Sequence, residues 1–371
     1  MSVQKKLGVL KEVYFRARLN NYPVVRSFWY FFKYAKFGKY SPTEIFMTDL
    51  LDPTITQEVN KGMISAESFL EYEKSVNPRS HLHLTEDKVK FHDFCMENNL
   101  PVPETVASVD VREGSFWKKD DPIKSEKELI DGLSKFPFDL ICKPTEGAHG
   151  VQVTNLHYID GKHVLVDHPE KTLDQFIKSL FAETRGGYII QKKLYSHQAI
   201  ADFTGNPMLQ TMRIETYLDE NNQAHILGRR IKFPDKGSTV DNFVYGTSKN
   251  RSCIVNEDGV VFQTYTNCPQ KQCLVRYDYL LNTEGEREDL QIPYWPEAMA
   301  MVLKAQALFS PLKTIGWDVA ITDDGPILIE GNSYWDPYIR LDGLMGGCLE
   351  RLGVPTEQVW GINRYKIPNN S

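Results

Sequence analysis

No run of eighteen or more apolar residues occurs in the 371-residue chain, so a membrane-spanning helix is not expected. The first residues also lack an apolar stretch followed by a small-residue cleavage site, which argues against secretion through such a signal. Cysteine is sparse: six residues, at 95, 142, 253, 268, 273 and 348. Only Cys268 and Cys273 are close together. With no second pair and no histidine partner nearby they make a weak zinc signature, and free thiols in a reducing cytoplasm are the better reading. Gly-x4-Gly-Lys-Ser/Thr, GxGxxG, HRD and DFG are all missing. That removes the P-loop, the dinucleotide fingerprint and the protein-kinase elements as routes to a nucleotide site. No internal repeat or low-complexity tract is present.

What the chain does have is 41% hydrophobic and 25% charged residues, the proportions expected of a soluble globular protein with enough core for two or three packed subdomains. The net charge of −6 is unevenly placed. Residues 1–40 carry nine cations (Lys5, Lys6, Lys11, Arg16, Arg18, Arg26, Lys33, Lys36, Lys39) against Glu12 alone, so this segment holds +8 and the remainder −14. An acidic body argues against nucleic acid as a partner. The same segment contains Phe28, Trp29, Tyr30, Phe31, Phe32 and Tyr34 and reads as helical, broken at Tyr22-Pro23. A basic, aromatic-rich helix can lie on an anionic membrane face; the alternative is that the aromatics pack on the body and the charges are solvated. Peripheral contact with the inner membrane face through residues 1–40 is thus an open expectation for a cytoplasmic protein.

Residues 41–80 read as short helices and polar loops, with a turn at Asn77-Pro78. A helix is predicted from Thr85, with Thr85 as its cap and Glu86 and Asp87 in the first turn. Leu100-Pro101-Val102-Pro103 leads into a strand over 105–109. Beyond residue 135 strands dominate: 138–142, 188–194, 211–218 and 224–231, the last two joined by a turn at Asp219–Asn222. A helix over 295–309 opens on Pro296. The segments 316–322 and 326–330 then form a hairpin across Asp323-Asp324-Gly325.

That hairpin carries the strongest chemistry. Asp318 lies among apolar strand residues and Glu330 ends the next strand, at a separation that sets the two opposite each other across a tight hairpin. Asn332, two residues on, leaves the same face as Glu330. Two carboxylates and an amide converging from a sheet are hard oxygen donors suited to magnesium, which keeps water and phosphate for its other positions. Solvated strand-end acids are the bland alternative. A second candidate is a strand ending in Lys143-Pro144, followed by the small-residue loop Thr145-Glu146-Gly147-Ala148-His149-Gly150. Glycines let backbone N–H groups approach phosphate and a lysine adds charge, although a glycine-rich hairpin loop is common.

Taken in order, Asp87-Lys88, Lys143-Pro144 with its glycine loop, Tyr188-Ile189-Ile190-Gln191-Lys192-Lys193-Leu194, Arg213, Arg229-Arg230, Asn242 and Asp318…Glu330-x-Asn332 resemble the ATP-grasp superfamily. Val240-Asp241-Asn242-Phe243, Ile292-Pro293-Tyr294-Trp295 and Gly316-Trp317-Asp318-Val319-Ala320 resemble its sugar-transfer associated branch, over roughly residues 80–345. The resemblance implies an α+β ATP-grasp fold, two α+β lobes gripping ATP, preceded by a helical N-terminal region. Expected divisions are 1–80 helical, 81–135 the start of the ATP-grasp region and a linker, 136–195 the small lobe and 196–371 the large lobe. It also implies roles. Lys88 and Lys143 bind ATP phosphates beneath the loop of Gly147, His149 and Gly150. Gln191, Lys192 or Lys193, and Leu194 form the adenine hinge. Asp318, Glu330 and Asn332 hold Mg2+, and Arg213, Arg230 and Asn242 face the transferred phosphate or the acid. Two positions depart from the pattern: His149 where a small residue is usual, and Gln191 where an acid is common. The implied activity is an ATP- and Mg-dependent carboxylate–amine ligase working through an acyl phosphate in polysaccharide or glycoconjugate assembly, with glycan-linked or small acids and amines as substrates. A phosphotransferase, or a non-catalytic nucleotide-binding partner of a membrane glycosyltransferase, are the alternatives. Residues 246–290 read only as an insertion, a lid or an acceptor-binding loop.

Overall fold

In the computed structural model, the described residues are 3–54, 64–117, 121–146, 153–166, 168, 170–184, 186–234, 250–282, 285–335 and 352. Among the described residues four helices come first: α1 Val3–Leu19, α2 Val24–Phe37, α3 Pro42–Met47 and α4 Ala66–Val76. Asn21 at positive φ and Pro23 separate α1 from α2, as the Tyr22-Pro23 break predicts. The two pack with α3 around Val13, Phe31, Tyr34, Ile45 and Phe46. Helix α4 and the residue after it fasten this region to the body. The Asn77 side chain donates to the carbonyls of Thr314 (2.9 Å) and Ser333 (2.7 Å), and its oxygen accepts from the N–H of Lys313 at 2.8 Å. One amide thus satisfies backbone groups of two adjacent chain segments that would otherwise be buried unpaired. Glu73 accepts from the Trp335 N–H at 2.7 Å, and Phe69 meets the Trp335 ring edge-on at 4.6 Å.

The next helix is α5, Lys88–Glu97. The expected cap is corrected: a separate one-turn helix spans His83–Glu86, and Asp87 caps α5 by accepting from the N–H groups of Val89 and Lys90. A carboxylate can satisfy two of the exposed helix donors at once. Thr85 instead shares a hydrogen bond with the Ser333 hydroxyl at 2.5 Å.

A five-stranded sheet follows, in the order β1-β5-β2-β3-β4, from β1 Thr105–Val109, β2 Leu140–Pro144, β3 Thr154–Ile159, β4 Lys162–Val164 and β5 Tyr188–Lys192. Helices α6 Glu126–Leu133 and α7 Leu173–Ala182 bury Leu129, Leu133, Phe176, Ile177 and Leu180 against it. Strand β1, expected at 105–109, pairs with β5. Helix α8, Gln198–Thr204, then leads into the large sheet.

The large sheet has eight strands: β6 Thr211–Leu218, β7 Ala224–Phe233, β8 Arg251–Val255, β9 Val260–Cys268, β10 Cys273–Tyr277, β11 Leu290–Gln291, β12 Thr314–Thr322 and β13 Gly325–Asn332. The main path runs β10-β9-β8-β7-β6-β12-β13, with β11 on β9. Its alternation decides the architecture. Met212, Ile214, Ile231, Phe233, Cys253, Val255, Ile315, Trp317, Val319 and Ile321 are buried in one core with α5 and α9 (Trp295–Leu308). The opposite face is therefore where the intervening polar residues must emerge. Residues 250–282, read from sequence as an insertion, supply three strands of this sheet. The β9–β10 turn meets the N-terminal helices. Arg16 donates to the Gln272 carbonyl at 2.5 Å, and Cys273 lies 3.9 Å from Asp49. Cys268 and Cys273 face each other in the β9–β10 register as free thiols.

Candidate active site

Hairpin β12–β13 pairs Asp318 with Glu330 and Gly316 with Asn332. Between Asp318/Glu330 and Val319/Leu328 the register shifts by one, leaving Ile329 as an extra residue. This bulge aims the site. Leu328 is fully buried in the apolar core, and in an unbroken strand Glu330, two residues later, would point the same way. One inserted residue turns Glu330 to the Asp318 face instead.

The neighbouring strands add charge to that face. In register, Asp318 pairs with Arg213 on β6, and Arg213 pairs with Arg230 on β7. Arg213 binds Asp318 through two contacts, Nε to Oδ1 at 2.6 Å and Nη2 to Oδ2 at 3.1 Å. Arg230 pairs with Glu215 at 2.5 Å, both almost wholly buried. The two arginines expected to face a transferred phosphate are thus engaged with carboxylates. Room for this packing comes from Gly316, where a Cβ would stand 2.7 Å from the Trp335 Cβ and 3.3 Å from the Arg213 Cδ.

The two carboxyls titrate as a unit. Burial raises the pKa of Glu330 and the Asp318 charge raises it further, against the pull of Lys88 and Lys143. Burial would also raise Asp318, but Arg213, Lys232 and the hydrogen bond shared with Glu330 outweigh it and hold Asp318 below the usual carboxylate range. Glu330 is thus shifted up and Asp318 down, the split expected when two acids share a low-dielectric site. A divalent cation relieves the same repulsion. With Asn332, whose nitrogen donates to the Gly316 carbonyl at 3.2 Å and whose oxygen can ligate, the three form an all-oxygen donor set. Among the described residues no group of three His, Cys, Asp or Glu of metal-binding arrangement occurs. The oxygen donors of Asp318, Glu330 and Asn332 suit a hard cation with few protein ligands.

Two lysines reach this point from different parts of the fold. Lys143, on β2, has its pKa pushed down to about 8 by burial, with Glu330 opposing and Lys88 reinforcing the shift. Lys88 opens α5 in the large lobe, and its N–H donates to the Thr145 carbonyl at 2.9 Å just beyond β2. Both lysines thus converge on Glu330 from different elements. Gly147, His149, Gly150 and Asn242 lie outside the described residues.

The hinge after β5 is more divided. Gln191 is buried and donates to the Thr105 hydroxyl at 3.0 Å, and its side-chain oxygen is buried without a hydrogen-bond partner. Lys192 is exposed, with its ammonium 5.3 Å from the centre of the Phe138 ring. Strand alternation sends it away from Gln191, and the enclosed lysine of the hinge is Lys193. Leu194 is half-buried beside it. Asp139 braces the hinge, a role not foreseen from sequence. It accepts from the Tyr195 hydroxyl at 2.6 Å and the Tyr158 N–H at 2.8 Å, and its own carbonyl accepts from the Lys193 N–H. Burial would raise the Asp139 pKa, but these hydrogen bonds and His157 hold it below the ordinary value. A depressed carboxylate pKa contributes stability that is full above the unfolded-state value, near pH 4, and disappears as pH falls through the folded one. Asp139→Asn should cost about 1 kcal/mol at neutral pH. In urea titrations the deficit should shrink as pH falls below the ordinary carboxylate range, once Asp139 protonates in the folded protein.

The model of the family described as sugar-transfer associated ATP-grasp matches residues 68–344. Comparison with curated proteins gives no match. Among solved structures, D-alanyl-alanine synthetase A of Vibrio cholerae is 9% identical with a TM-score of 0.43, covering 75% of this chain and 66% of that one. N5-carboxyaminoimidazole synthetase of Staphylococcus aureus with ADP is 10% identical at a TM-score of 0.42, covering 78% and 58%. D-alanine–D-alanine ligase of Bacillus anthracis is 12% identical at 0.38, covering 75% and 69%. The chain thus spans between about half and two thirds of the length of such structures.

Proposed function

The chain belongs to the sugar-transfer associated ATP-grasp family, and from that premise we propose that it is a carboxylate–amine ligase driven by ATP, acting in glycoconjugate or cell-surface polysaccharide assembly. The observation that carries the reading is the convergence of Lys88 and Lys143 on the Asp318–Glu330 pair. Cations that can grip phosphate thereby meet an oxygen set that can hold magnesium. The polysaccharide setting rests on the family description alone.

In this reading Asp318, Glu330 and Asn332 hold magnesium, which when bound offsets charge on the phosphates of ATP. Lys143 and Lys88 bind phosphate oxygens, and charge on the nucleotide favours the protonated form of Lys143. The buried amide of Gln191 and the backbone at Leu194 meet the adenine edge, with Lys193 rather than Lys192 as the enclosed cation. A carboxylate oxygen of the acid substrate attacks the γ-phosphorus and the bond to ADP breaks. The amine then attacks the acyl carbon, phosphate leaves, and the amine loses a proton. Arg213, held by Asp318, positions that carboxyl. Arg230, pinned to Glu215, supports Arg213 from the adjoining strand.

The test is phosphate release from ATP across paired libraries of acids and amines. Release that needs both partners supports ligation. A stable phosphorylated acceptor formed without an amine would identify a phosphotransferase, and no ATP turnover with any partner would remove the enzymatic reading.

A further inference from the structure

Helix α2 is apolar on more than one side. Ser27, Phe31 and Tyr34 face inward, and Phe31 and Tyr34 pack in the N-terminal core. On the other side Val25, Trp29 and Phe32 form a stripe at i, i+4 and i+7, exposed by 84%, 58% and 53%. A helix apolar all round is ordinarily enclosed, and a contiguous exposed apolar stripe signals a partner. The same side carries Arg26, Lys33 and Lys36 by helical spacing, and no acid occurs anywhere in the helix. The lysines are interleaved with the rings: the Lys33 ammonium lies 5.2 Å from the Trp29 ring centre and that of Lys36 5.4 Å from Phe37. Nearby α1 adds Leu7 and Tyr14, exposed and seven residues apart, with Lys11 and Arg18 on the same stripe by spacing. Its single acid, Glu12, is paired with Arg16 at 2.6 Å.

We propose that the outer stripe of α2, with the adjoining cations of α1, is a docking surface for an anionic lipid bilayer, along which the helix lies at the headgroup level. Two observations favour lipid over a protein groove or a second copy. The exposed apolar residues are large and include Trp and Phe, which seat in the interface, with lysines positioned to reach outward to lipid phosphates. Residues 1–40 carry +8 while the rest carries −14, so a negative surface attracts this end and repels the body. The proposal is independent of the reaction assigned to the cleft.

The experiment is co-sedimentation of the full chain with vesicles of phosphatidylcholine containing phosphatidylglycerol, and with phosphatidylcholine alone. Three proteins are compared: wild type, Trp29→Ser/Phe32→Ser and Lys33→Glu/Lys36→Glu. Wild type should bind the anionic vesicles and release with rising salt. Each double variant should bind at least about tenfold more weakly. The substituted positions lie outside the packed core, so thermal unfolding should be unchanged. The charge-reversed pair keeps the apolar stripe and decides the matter if the serine pair unfolds. Absent wild-type binding at low salt, equal binding to neutral vesicles, or variants that bind like wild type would overturn the proposal. Self-association that the variants abolish, without vesicle binding, would assign the stripe to a second copy and also overturn it.

Discussion

Replacing Glu330 by Ala should lower ATP turnover by about 100-fold or more while leaving the protein folded. Glu330 is half-buried at the end of β13, where burial and the Asp318 charge both raise its pKa. Its removal relieves a like-charge contact, so the substitution should not destabilise the fold. The loss should therefore appear in turnover and in magnesium dependence, with the urea midpoint unchanged or slightly raised. Asp318→Ala should be as inactive but less stable, because Arg213 loses both of its contacts to Asp318. The contrast is informative: equal stability losses in the two variants would mean that the carboxylates act as structural ion-pair partners. Phosphate release together with urea unfolding checks both.

Arg230→Leu should cost about 3–5 kcal/mol of folding stability, since it leaves the Glu215 carboxylate buried without its cation. Glu215 is fully buried. Burial raises its pKa, and Arg230 and Arg213 act against that rise. As pH falls Glu215 protonates and the penalty is relieved, so the deficit relative to wild type should shrink toward acid. Combining Arg230→Leu with Glu215→Leu should recover most of the loss, because an apolar pair of similar volume needs no desolvation. Urea unfolding at several pH values measures this. A stable but inactive Arg230→Leu protein would place the guanidinium against substrate instead of Glu215.

Much of the site was legible in the sequence because β12 alternates cleanly. Ile315, Trp317, Val319 and Ile321 point one way and Gly316, Asp318 and Ala320 the other, so Asp318 could be placed on a polar face. The turn at Asp323–Gly325 set the register, and Gly325 adopts positive φ as such a turn requires. The Ile329 bulge was not legible, because nothing in Ile327-Leu328-Ile329-Glu330 marks which residue is extra. Nor were the arginine partners: Glu215 and Arg230 sit in separate strands, and their pairing depends on a second irregularity, beside Glu215. Lys232 is two residues beyond Arg230 and its charge acts on Asp318, a placement that alternation alone could have suggested. Strands β8–β10 were missed because Arg251, Ser252, Gln263, Thr264 and Asn267 dilute their apolar pattern. Their core residues Cys253, Val255 and Val261 become meaningful only once β7 lies beside them. At α5 the cap expected at Thr85 falls at Asp87, and the Thr85 hydroxyl bonds Ser333, a partner 248 residues away that local sequence does not reveal.

The most direct measurement of the central claim is the electron paramagnetic resonance signal of Mn2+ titrated into wild type and a Glu330→Gln/Asn332→Leu variant, each with a non-hydrolysable ATP analogue. The protein–metal–nucleotide complex should form in the wild type, and metal affinity should fall by at least about tenfold in the variant. Equal metal affinity in both proteins would contradict the assignment of the cation to the β12–β13 hairpin.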